Sequence, residues 1–337
     1  MRAREIRWDR RGAAVALVLA LLPAALQAWG PNAARLVVNK AIDTLPPELR
    51  PWFEANRPYL SQHVTDPLDA LARDPAEIRY HRIQFQKFGR FPYEDLPRDY
   101  NAALKKFGRA TLESSGLLPW TIGKYSKKLT DDLRDHNWNE ARTAAAQLAF
   151  YVAEAHDPFS TTDNFDGHLT NQTGVDSRFD TNLVDRFALF IYVRPNDAAF
   201  ISDPTDRAFE DCLSAHSWIQ AILLADRRAH AGLPDYTDDY YDRFYNTAGA
   251  LVIRQLSEAS TEVGSYWLRL DQRRQALHAG PVIAFMPLAS CSLSCSFFSS
   301  PLLFSVPSAS LRLIPLSFSG SHHSSLIPHH FPHASPR

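Results

Sequence analysis

The sequence predicts an all-α fold built as a single multi-helix domain. Three observations carry the prediction. Apolar residues recur every three to four positions through most of the chain. Glycine is scarce, 13 of 337 residues, and no apolar-polar alternation is convincing enough to pair as strands. No internal repeat is visible.

The first 28 residues are set aside as an export signal. Arg2, Arg4, Arg7, Arg10 and Arg11 precede an apolar run from Ala13 to Leu22 and a small-residue tail from Ala24 to Ala28, the order of a cleaved leader. The run is too short to span a bilayer comfortably. Leu26 is bulkier than usual three residues before a cut, and the residues flanking Arg10-Arg11 fit a twin-arginine signal poorly. The mature chain is expected to begin at Trp29, to be exported to a periplasmic or extracellular location, and to keep no transmembrane anchor. The formal net charge is −1, and losing the leader's arginines makes it more negative. That sign argues against a broad basic face for nucleic acid and leaves a local basic groove open.

The folded part is expected over 29–280. Leu36, Val37, Ala41 and Leu45 give the period of a helix from Ala33 to Leu45, which Pro46-Pro47 ends. A second helix is expected from Glu48 to Ser61. The segment 62–89 reads as irregular and carries His63, Asp66 and His81. Leu96–Glu113, Leu118–Arg134 and Asn139–His156 read as three successive helices, and Pro204–Arg228 and Tyr236–Leu270 as two long ones. Cys212 stands alone in the folded part, with Cys291 and Cys295 in the tail, so neither a disulfide framework nor a cysteine zinc pattern follows. Residues 281–337 contain no Asp, Glu or Lys and show no helical period. They are expected to be a low-complexity tail outside the fold, with His322, His323, His329 and His330 carrying no function.

The chain is organised around Gln147 to Asp180. Ala144, Ala145, Ala146, Leu148, Ala149, Phe150, Tyr151, Val152 and Ala153 are apolar nearly all round, as in a helix enclosed by other helices. Glu154 and His156 fall inside that run. A carboxylate there must be paired, protonated or cation-bound, because burying it bare costs several kcal/mol. Asp157-Pro158 stops the helix, a polar loop follows through Gly167, and a helix opens at Asp176 with Asp180 one turn on.

With Pro158, Asn164, Asp166, Gly167, Gly174, Arg178 and Phe179, together with Trp29-Gly30, the Val38–Ile42 helix, Asp66-Pro67 and His81, this stretch resembles the zinc-dependent phospholipases C and single-strand-specific nucleases. The resemblance spans Trp29 to about Gln275 and implies a shared all-helical fold with a three-zinc centre. It implies Asp66, His81 and Glu154 at a first zinc, where the family's helix histidine is Phe150. A second zinc would fall to Ser160, Asp176 and Asp180, with no imidazole left. A third would fall to Trp29 and Glu154, Ala34 standing where the family has histidine. Were metal bound, Asp66 would orient or deprotonate the attacking water, and the substrate would be a phosphate ester of a lipid or a nucleic acid.

The donor set moves from nitrogen toward oxygen, which suits calcium, magnesium or manganese better than zinc. Three readings stay open: one zinc at Asp66, His81 and Glu154; a harder cation; or no metal, with Glu154 held by protein partners. The functional alternatives are a hydrolase-like protein with an eroded centre and weak or altered activity, and a metal-free binding or scaffold protein. His156 is expected to cap helix carbonyls. Asp163, Asn164 and Asp166 are expected to bond local backbone, and His63 and His168 to be solvated. Trp120, Trp138 and Trp218 are expected to anchor the core or surface, and Ser160 to lack a triad.

Overall fold

The computed structural model describes residues 29–278, with side chains through residue 269. Residues 1–28, expected to be an export leader, and residues 281–337, expected to be a low-complexity tail, lie outside these residues. Every regular element among the described residues is helical, with no strand. Among the described residues no helix is long and apolar enough to cross a membrane.

The first helix, α1, runs Pro31–Asp43 and matches expectation to within two residues at each end. The second expected helix is two, α2 (Arg50–Ala55) and α3 (Arg57–His63), divided at Asn56. Pro58 cannot donate to a continuing helical ladder, so the chain restarts there. The segment expected to be irregular holds α4 (Asp66–Arg73) and α5 (Ile78–His81), too short for an apolar period to show. Leu96–Glu113 resolves into α6 (Tyr100–Phe107) and α7 (Arg109–Ser115). Asp99 caps α6 by accepting from the Ala102 N–H at 2.8 Å, and Gly108 separates the two helices at φ +77°, a conformation that costs other residues more. Next come α8 (Leu118–Arg134), as expected, and α9 (Trp138–Ala155).

Short turns follow, α10 (Val175–Ser177), a π-helical turn Arg178–Asn182 and α11 (Leu183–Arg186). The stretch 204–228 divides into α12 (Pro204–His216) and α13 (Ile219–His230). There Ser217 turns its hydroxyl back to the Ser214 carbonyl at 2.6 Å, satisfying an acceptor that α12 leaves open at its end. The last helix, α14, spans Asp238–His278.

Helix α9 is the axis of the bundle, packed against α8, α14, α1, α3 and α12. Ala141, Ala144, Ala145, Ala146, Ala149, Ala153 and Ala155 are all buried on it. Alanine has the best helix propensity and the smallest side chain that keeps it, so neighbours approach α9 from every direction. The Trp267 indole on α14 lies against it, within 3.4 Å of the Ala145 carbonyl, and stacks on Phe53 at 4.4 Å.

Between α11 and α12 an extended segment runs along α14 on a rail of hydroxyls. Arg194, Asn196 and Ala199 donate their backbone N–H groups to Ser257 Oγ, Thr261 Oγ1 and Ser265 Oγ at 2.9–3.0 Å. Each hydroxyl in turn donates to the carbonyl four residues back on α14. The spacing of four places all three on one face of the helix.

The loop between α9 and α10 is tied down by Arg178. Its guanidinium donates to Asp226 Oδ1, the Tyr240 hydroxyl, and the Thr173 and Gln172 carbonyls, at 2.8–3.1 Å. Gln172 Nε2 donates to the other Asp226 oxygen at 2.6 Å. Loop, α13 and α14 are thereby joined through one buried ion pair.

Candidate functional site

The α9 axis ends in the acid centre. Glu154 is in its last turn, 1% exposed, and the chain then turns through Asp157-Pro158 to Ser160. His81, at the end of α5 and 3% exposed, brings its Nδ1 to 3.3 Å from Glu154 Oε1. Ser160 Oγ lies 3.0 Å from Glu154 Oε2 and 3.1 Å from Asp157 Oδ2. Asp157 also accepts from the Phe159 N–H at 3.1 Å. Glu154 is thus paired, as its place in an apolar run demanded. Because one hydroxyl carries one hydrogen, the short contacts on both sides of Ser160 favour a proton on one of the two carboxyls.

Burial governs the protonation of the whole group. It raises the Glu154 pKa, with the His81 and Ser160 bonds pulling back in part. Burial and the Glu154 charge push Asp157 up to about 7. Asp176 is pushed up to about 8, by burial first and by sharing with the Asp166 carboxyl. Asp180, fully buried, is raised well above its ordinary range by burial and by Asp157 and Asp176. Desolvation disfavours each charge, and each charge disfavours the next.

The expected ligand positions separate into four places. His81, Glu154 and Ser160 come together by direct hydrogen bonds. Asp176 and Asp180 are buried on α10 and the π turn, where Asp176 Oδ1 and both Asp180 oxygens make no hydrogen bond of good geometry, although Thr181 is close enough to pull the Asp180 pKa back in part. Asp66 stands apart from these hydrogen bonds: it is on the first turn of α4, 40% exposed, and bonds His63 Nδ1 at 3.0 Å. Trp29 is buried with its indole Nε1 unpartnered and its ring 6.1 Å from Phe179. Ala34 is buried on α1, and the Phe150 ring meets His81 edge-on at 5.5 Å.

The other readings mostly hold. His156 Nδ1 donates to the Val152 carbonyl at 2.9 Å, the expected cap. Asn164 Oδ1 and Asp166 Oδ1 accept from the Leu169 and Gly174 N–H groups, whereas Asp163 lies 3.9 Å from Lys87 Nζ. His168 is exposed, but His63 is more than solvated, stacking on Tyr59 at 4.1 Å and bonding Asp66. Trp120 donates to the Arg98 carbonyl at 2.7 Å. Trp138 is largely exposed, and Trp218 packs against the core under the Arg254 guanidinium. From the sequence alone, Asp157 reads only as a helix stop. The signal missed is that a carboxylate two residues beyond the buried C-terminal part of α9 is itself buried.

Zinc binding needs three or four nitrogen, sulfur or carboxylate donors converging at about 2.0–2.3 Å. Among the described residues no group of three or more His, Cys, Asp and Glu is arranged to hold a metal ion. The residues present do not fit a three-zinc centre.

No protein-family model matches the chain, and no curated protein matches it. Among solved structures it is similar to the alpha toxin from Clostridium absonum, with 13% sequence identity and a TM-score of 0.45. That match covers 73% of this chain and 63% of the toxin chain.

Proposed function

We propose that this is an exported binding or scaffold protein whose architecture resembles that of phosphate-ester hydrolases, with the metal centre eroded into a network of shared protons and hydrolysis weak or absent. The observation that carries this is Ser160. Its hydroxyl bridges Glu154 and Asp157, so the atoms that would face a cation are engaged with one another. Each lost cation removes several kcal/mol of transition-state stabilisation, and about 1.4 kcal/mol is a tenfold rate change. Hydrolysis should therefore fall by several orders of magnitude.

Metal analysis of the purified full chain tests the reading directly. Zinc well below one ion per chain is expected, with added zinc failing to induce hydrolysis of phosphatidylcholine or single-stranded DNA. Stoichiometric zinc together with rapid hydrolysis abolished by His81→Ala would overturn it.

The buried oxygens of Asp180 and Asp176 favour a second reading, one hard cation held by carboxylates. Activity or a raised unfolding midpoint with calcium, magnesium or manganese, lost in Asp180→Asn, would support that alternative over the metal-free one.

A further inference from the structure

Two arginines flank the acid centre, and the fold treats them oppositely. Arg178 is surrounded by a carboxylate, a phenol and two carbonyls. Arg82 is half-buried and has none of these. Among the described residues its guanidinium makes no ion pair, and its buried Nε–H has no acceptor. Arg79 also has an unpartnered Nε, but Tyr80, Glu113 and Glu77 hold its charge.

The backbone fixes Arg82 in place at the edge of the centre. On one side His81 bonds Glu154, and on the other the Ile83 N–H donates to the Ser160 carbonyl at 2.8 Å. The Arg82 carbonyl accepts from Leu118 N–H at 3.2 Å. Gly116, at φ +100°, lies so close that an added Cβ would sit 2.0 Å from that carbonyl oxygen. The side chain passes over the Phe165 ring, with Cζ 4.9 Å from its centroid, and the His168 ring is 5.0 Å beyond. An aromatic face supports a guanidinium through the cation-π attraction while leaving the N–H fork free for in-plane acceptors.

A partly desolvated cation without a counter-ion is costly, and a bound oxyanion removes that cost through paired charge-assisted hydrogen bonds. We propose that Arg82, seated on Phe165, is a binding site for a small oxyanion group, a phosphate or carboxylate carried by the ligand. The proposal extends the binding role given above by naming its ligand class. Its readout is independent of metal content, so either can fail without the other.

The test is an unfolding and calorimetric titration of the full chain with inorganic phosphate and, separately, acetate, at ionic strength held constant with sodium chloride. At least one anion is expected to bind saturably and raise the midpoint. Arg82→Gln should abolish that response. Arg82→Lys should weaken binding about tenfold or more, because a point charge cannot reproduce the bidentate fork. In anion-free buffer Arg82→Gln should unfold no earlier than the parent, since it removes an uncompensated charge; this separates a ligand site from a structural arginine. Vesicles of phosphatidylcholine with phosphatidate then identify the source. Arg82-dependent co-sedimentation assigns a lipid headgroup, and phosphate or acetate binding without it assigns a soluble anion. No saturable response to either anion, or an equal response in Arg82→Gln, overturns the proposal.

Discussion

Raising the pH from about 5 to about 8 is expected to destabilise this protein by on the order of 6 kcal/mol. The cause is the acid centre, in which Asp157 titrates at about 7 and Asp176 at about 8 in the folded state. Glu154 and Asp180 are shifted in the same direction. In the unfolded chain all four release their protons near pH 4. Between that value and about 8 the folded state therefore binds more protons, so stability falls as pH rises and levels off once the folded acids have ionised. Denaturant melts at fixed ionic strength across that range measure the slope. Asp180→Asn should raise stability at the alkaline end and change little at pH 5. The opposite slope would show the carboxyls ionised at neutral pH in the fold, as a bound cation requires.

Arg178→Ala should cost about 3–5 kcal/mol, the usual loss when one partner of a buried ion pair is removed. Asp226 is 1% exposed and would remain without its cationic partner. Tyr240 and Gln172 still donate to it, but neither carries a charge. Two loop carbonyls, at Gln172 and Thr173, lose their donor as well. For a domain of this size the midpoint should drop by roughly 10 °C. Arg178→Lys should recover only a small part, because an ammonium cannot reach the carboxylate and both carbonyls together. A change below about 1 kcal/mol would mean that the loop is held by other contacts.

The long helices were legible because burial writes a period into them. Leu118–Arg134 was located to the residue, and α9 was recognised as enclosed from its unbroken alanine-rich run. The breaks at Asn56, Gly108 and Ser217 were missed because each interrupts the backbone for a residue or two while the apolar spacing continues almost in step. Helices α4 and α5 were missed for the opposite reason, being too short to repeat. In the site, Glu154 announced a need for partners, since a carboxylate in an apolar helix cannot stand alone. That the partners are His81 and Ser160 depends on how α5 and the turn after α9 meet, and no local spacing encodes that. Arg82 was silent in the sequence, because an arginine's lack of a counter-ion is a property of its surroundings.

The hydroxyl rail on α14 gives an irregular segment the kinetics of a regular one. The amides of Arg194, Asn196 and Ala199 are tied to a long helix, although the segment that carries them belongs to no helix or strand. In hydrogen-deuterium exchange they should be protected with the helix, exchanging at rates set by larger openings of the fold rather than by loop fluctuation. Thr261→Val, which keeps the shape and removes the acceptor, should speed exchange at Asn196 first. Equal, fast exchange along the whole segment in the parent protein would show that the rail does not hold in solution.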